Sequence, residues 1–215
     1  VADYGAALCR ESGATKGFGK NNTFIANHAR ISGAALGWMG SVGISINNYS
    51  FIDNTAEVSG AAIYINENSH NCTIFNSTFY GNHLINMTEG HNGGAIDCHA
   101  SNATINMSSF DNNGAYDGGA IYVSSDSGNT IILSSNFTNN YAIEEGGAIG
   151  LKASSVIVNE SYFKGNSAHN GGAIFVGGTG HYNSVYKSNF TDNHAYDGNG
   201  GAIDWVASSG DIFES

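Results

Sequence analysis

Ten Asn-x-Ser/Thr sequons mark this 215-residue chain, at Asn21, Asn48, Asn71, Asn76, Asn86, Asn102, Asn106, Asn136, Asn159 and Asn189. In an exported protein the amide nitrogen of such an Asn accepts an N-linked glycan, so these are candidate glycosylation sites. The 28 Asn and 36 Ser plus Thr would meet in this pattern about five times by chance. Eight His raise metal chemistry. His28, His83 and His194 share one place in a repeat, but alternate coils of that repeat would hold them about 10 Å apart, too far for one ion. Asp53, Asp111 and Asp192 stand beside the Asn of the repeat, within two residues of it, and Asp117 and Asp197 precede its glycines, so the acids are expected to stay scattered along the coils and no catalytic residue is assigned. No cofactor is expected; calcium, held by Asp and carbonyls at the turns, is the one ion considered, although its Gly-Gly-x-Gly-x-Asp repeat is absent. Among the three Cys, Cys72 and Cys98 alternate in phase with Ile74 and Ile96 and are read as small buried thiols.

The elements that position these residues are written in the repeat itself. Gly-Gly-Ala-Ile or a close copy begins at Gly5, Gly33, Gly60, Gly93, Gly118, Gly146, Gly171 and Gly200. Phe-x-x-Asn precedes seven of the copies, with Phe24, Phe51, Phe79, Phe110, Phe137, Phe163 and Phe190 leading to Asn27, Asn54, Asn82, Asn113, Asn140, Asn166 and Asn193. Seven sequons fall within four residues before these Phe, one for each. Self-similarity at about 27 residues, short alternating apolar stretches and no helical spacing indicate an all-β solenoid, a single-stranded parallel β-helix of about eight coils. Three short strands and three turns account for that period, so each coil is expected to be three-sided. The Phe should form an aromatic column and the Asn a hydrogen-bonded ladder, both structural. The absence of Pro suits backbone amides that nearly all donate between coils.

Composition narrows the partners. Seven Lys and Arg against 18 Asp and Glu give a formal charge of −11, which disfavours nucleic acid and anionic lipid. No apolar run approaches the roughly 20 residues that cross a bilayer, so no membrane insertion is expected of this segment. The longest gap between Phe and Gly-Gly spans His83 to Asn92, and there Leu84 replaces the Ala found two residues after the other repeat Asn. This insertion is the candidate binding loop, with His83, Leu84, Glu89, His91 and Asn92 as its residues. Both ends read as cut from a longer array, since 203–215 aligns on 149–161 and places a Phe two residues beyond Ser215. Residues 1–215 are thus expected to be one continuous segment, truncated at both ends.

Gly-Gly-Ala-Ile alternating with Phe-x-x-Asn at this period resembles the repeats of chlamydial polymorphic membrane proteins and of adhesin-like surface proteins of methanogenic archaea. The Asn-rich, Pro-free composition looks more like the archaeal group. The resemblance implies a right-handed parallel β-helix, extracellular at the cell surface or wall, that attaches to surface glycans or proteins of other cells. Three readings stand: an adhesin or stalk, a purely structural spacer for a distal binding domain, and a polysaccharide-acting enzyme or tailspike-like domain. Lateral self-association is open to each of them. Gly178-Thr179-Gly180-His181 is similar to a polygalacturonase Gly-His-Gly, but Tyr182 replaces the last Gly and no Asp-Asp pair accompanies it, so the chain is not read as an enzyme. Trp38, Trp205, Tyr64, Tyr122 and Tyr182 are aromatics that could stack on sugars.

Overall fold

The structure, a computed structural model, describes residues 2–11, 18–125, 127–152, 155–178, 182–207 and 209–215. Thr179, Gly180 and His181, part of the Gly-rich tetrapeptide weighed above, lie outside the described residues.

Each coil contributes four strands rather than three. One coil runs through Thr55–Ala56, Ile63–Ile65, Thr73–Phe75 and Thr78–Tyr80, which enter the first, second, third and fourth sheets respectively. The sheets hold eight, eight, eight and seven strands, every pairing is parallel, and strand order follows chain order. With four strands per turn, the 31 strands among the described residues make seven full turns and most of an eighth. The strand that sequence reading misses is the one in the first sheet. It is two residues long at Thr55–Ala56, His83–Leu84 and Ser167–Ala168, too short for alternation to show.

Register places each motif position on its own copy, as Ile63 on Ile96 and Phe79 on Phe110. The seven Phe of the fourth sheet therefore stack in one column, with centroids 4.6–5.4 Å apart and planes within 9°. Phe51 to Phe163 are fully buried, and each contributes about 1.5–3 kcal/mol of transfer free energy with a further increment of about 1 kcal/mol from stacking.

Two ladders seal the corners beside this column. In the Asn ladder, Asn113 is 0% exposed; its Nδ2 donates to Asn140 Oδ1 (2.9 Å) and to the Phe79 carbonyl (3.1 Å), and its Oδ1 accepts from the amide and Nδ2 of Asn82, both at 3.0 Å. The same set recurs around Asn54, Asn82, Asn140 and Asn166. A second ladder had not been expected. Ser77, Ser108, Ser135, Ser161 and Ser188 are buried, and each accepts at Oγ from the amide of the preceding coil while donating to the carbonyl two residues back. Its signal was in the sequence, as a Ser two residues before five of the seven Phe.

The two glycines of the motif do different jobs. Gly118 has φ +62°, a left-handed corner that a side chain disfavours. Gly94 has no such torsion, but a Cβ there would lie 2.1 Å from the Gly119 carbonyl oxygen and 2.6 Å from the Gly114 nitrogen, so backbone of the next coil fills that space. Where the coils leave more room the second position is Ala, and Ala34 and Ala61 form a small separate core with Ala29, Ala56, Leu84 and Ala115.

Candidate functional site

The repeat residues point inward. Phe and Asn of the motif lie in the core and its corners, with only the end members Phe24, Phe190, Asn27 and Asn193 half-buried, so they hold the rod together and leave recognition to what surrounds them.

The insertion from His83 to Asn92 projects between the first and second sheets. Its base is tied down: His83 Nδ1 bonds the Gly81 carbonyl (3.0 Å), the Asn92 carbonyl accepts from Gly60 (3.1 Å), and Tyr116 N–H donates to the His91 carbonyl (3.0 Å). His91 closes the loop internally through the Asn86 carbonyl and Thr88. Leu84 does not belong to a binding surface. It pairs in register with Ala56, is 1% exposed and fills the small Ala core from within, while Met87 packs over the same core. Glu89 is exposed, and His83, His91 and Asn92 are half-buried.

The acids are less scattered than spacing suggests. Asp117 and Glu145, 28 residues and one coil apart, are neighbours, and Asp117 Oδ1 accepts the Glu145 amide at 3.1 Å. Lys152 bridges to Glu145 and lies 4.6 Å from the centroid of the Phe175 ring. Burial, reinforced by the Glu145 charge, pushes the Asp117 carboxyl up to about 7. Glu144 accepts from His169 Nδ1 at 2.9 Å, which holds the imidazole pKa above its ordinary value. A further carboxylate, Asp97, is 1% exposed and faces His99 Nε2 at 3.2 Å. His28, His83 and His194 share one column of the first sheet but on separate coils, and among the described residues no three His, Cys, Asp or Glu are grouped to hold a metal ion. Cys72 and Cys98 are buried, which pushes both thiols up to about 12, whereas Cys9 is exposed.

The aromatics divide sharply. Trp38 is 1% exposed and belongs to the core, so it cannot meet a sugar. Trp205 is half-buried, and Tyr64 packs on Tyr4 and His99 at 5.8 and 5.7 Å. Tyr182 is 79% exposed and stands where two shallow depressions meet on the outer face of the third sheet. The larger, of about 520 Å³, runs over Tyr186, Lys187, Asp211 and Phe213; the smaller runs over Ile131 and Ile157. Tyr186 and Phe213 are direct cross-strand neighbours. Sequence reading named Tyr182 but missed the other two, which become one surface only through the register of the coils.

Three stretches of the chain, residues 108–124, 134–152 and 160–177, match the family model of the Chlamydia polymorphic membrane protein repeat. These coils are similar to polymorphic membrane protein repeats. Each matched stretch contains one Phe-x-x-Asn and the Gly-Gly-Ala-Ile that follows it, so the match rests on the stacked core, the Asn ladder and the glycine corner. No curated protein and no solved structure matches the chain.

Proposed function

We propose that this chain is a rod-like segment of a cell-surface, extracellular adhesin-like protein, which attaches to glycans or proteins on other cells. The observation that carries this reading is the polymorphic membrane protein repeat in three consecutive coils of a laddered β-solenoid. A rod whose buried amides are satisfied coil by coil is stiff, and stiffness suits a part that holds a contact surface away from a cell. In this reading the chain is not an enzyme, uses no cofactor, and meets its partner at the depression around Tyr182, Tyr186 and Phe213. Flat aromatic faces beside hydroxyls and an ammonium group suit a saccharide.

The test is capture of intact cells and of an immobilised glycan panel by beads carrying the chain. Capture that falls at least tenfold for Tyr182→Ala combined with Tyr186→Ala supports the reading. Beads that retain no cells or glycans turn the chain into a spacer, and release of reducing or unsaturated sugar makes it an enzyme.

A further inference from the structure

We propose that the chain is N-glycosylated at the corners on either side of the third sheet, on the fourth sheet and on the insertion, that Asn106 and Asn159 on the third-sheet strands stay bare, and that the first and second sheets carry no glycan. The ten sequons are not spread around the rod. Asn21, Asn48 and Asn76 stack at the corner between the third and fourth sheets, Asn71 and Asn102 at the corner entering the third, and Asn136 and Asn189 on the outer face of the fourth. Asn86 sits on the insertion, and no strand of the first or second sheet carries a sequon Asn.

All eight of these Asn are exposed, and five hold left-handed torsions with φ between +47° and +60°. Transfer forms a bond from Nδ2 to C1 of a diphosphate-activated glycosyl donor and breaks the C1–oxygen bond. The diphosphate departs with the electron pair, and one Nδ2 proton goes to a base of the transferase. One N–H remains, which is all the corner needs: Asn48 donates a single bond, to Asn21 Oδ1 at 2.7 Å. A ladder Asn such as Asn113 commits both hydrogens and has no such spare.

Asn106 and Asn159 differ from the eight. Their Oδ1 atoms have no access to solvent, and the sequon hydroxyls, Ser108 and Ser161, are buried in the Ser ladder and donate to the carbonyls of Asn106 and Asn159 at 3.0 and 2.9 Å. At the other eight sequons the hydroxyl residue is exposed or half-exposed. The depression around Tyr182 therefore has no glycan acceptor on its sheet from Ile131 to Phe213, although Asn159 lies within that span.

Denaturing intact-mass measurement and glycopeptide mapping of the protein isolated from the cells that make it test this directly. The expected result is a mass above that of the bare sequence, glycopeptides only from the eight exposed sequons, and unmodified peptides at Asn106 and Asn159. A bare mass, or glycan at Asn106 or Asn159, overturns the proposal. Neither result depends on whether the rod binds cells, so failure here is distinct from failure of the adhesin reading.

Discussion

Replacing Asn113 with Ala removes four hydrogen bonds from the middle of the rod. The Asn82 amide, one hydrogen of Asn82 Nδ2 and the Phe79 carbonyl each lose a side-chain partner inside the protein, whereas Asn140 Oδ1 keeps the Asn113 backbone amide. Three buried groups at about 1–2 kcal/mol each give an expected loss of about 3–6 kcal/mol. Asn27 makes a natural control, because it is half-buried and its side chain makes one bond, from Nδ2 to Asn54 Oδ1, while the bond from its backbone amide survives truncation. Asn27→Ala should cost about 1 kcal/mol. Asn113→Asp keeps the shape but turns a double donor into an acceptor facing Asn140 Oδ1 and the Phe79 carbonyl, so it should be worse than Ala. Equilibrium urea unfolding of the four proteins, with hydrogen exchange at the Phe79 and Phe110 rungs, reads the difference. If Asn113→Ala costs no more than Asn27→Ala, or if Asp is tolerated better than Ala, the ladder does not hold the coils together and the reasoning fails.

Gly94→Ala should cost about 3 kcal/mol because its Cβ meets next-coil backbone at 2.1 Å, whereas Gly90→Ala, with φ +83° and nothing within 4 Å, should cost about 1 kcal/mol; thermal unfolding separates them. Leu84→Ala should lose about 2–3 kcal/mol and leave cell capture by the folded protein unchanged, since the side chain lies in the core. Asp117 has a folded pKa raised from 3.8 to about 7, so its ionisation is disfavoured in the fold. The contribution of Asp117 to stability should therefore be greatest below about pH 4, fall between pH 4 and 7 by on the order of 2 kcal/mol, and level off above; the difference in melting temperature between the chain and Asp117→Asn across a pH series reads it. Under native conditions a maleimide should label one thiol per chain, Cys9, with Cys72 and Cys98 reacting only on unfolding; three fast-reacting thiols would contradict the burial.

The β-solenoid, its period and the Phe and Asn columns were legible because in-register parallel stacking brings each residue against the same residue one period away. Local pattern and tertiary neighbour then coincide, and counting along the chain is enough to find Phe79 beside Phe110. Legibility faded where the copies differ in residue type. Asp117 and Glu145 each stand immediately before a Gly-Gly-Ala-Ile and so meet in register, a pairing missed because only the Asp residues were compared between coils, and a residue that breaks the pattern, Leu84, looked like an exposed novelty although it fills a gap in the core. Trp38 was misread although its direction was legible: it lies two residues after Leu36 and pairs with Ile65, so alternation puts it on the core side.

The amino-acid sequence alone determined the coil, its repeat and the residues that ladder it, because a regular array leaves a regular trace. Only the tertiary structure decided that each coil has four strands, that the Ser recurring from Ser77 to Ser188 turns inward to bond the neighbouring coil, and which sequons lie exposed. Those outcomes depend on how each corner turns, and a corner made by one left-handed residue redirects a side chain without changing the spacing of the motif around it.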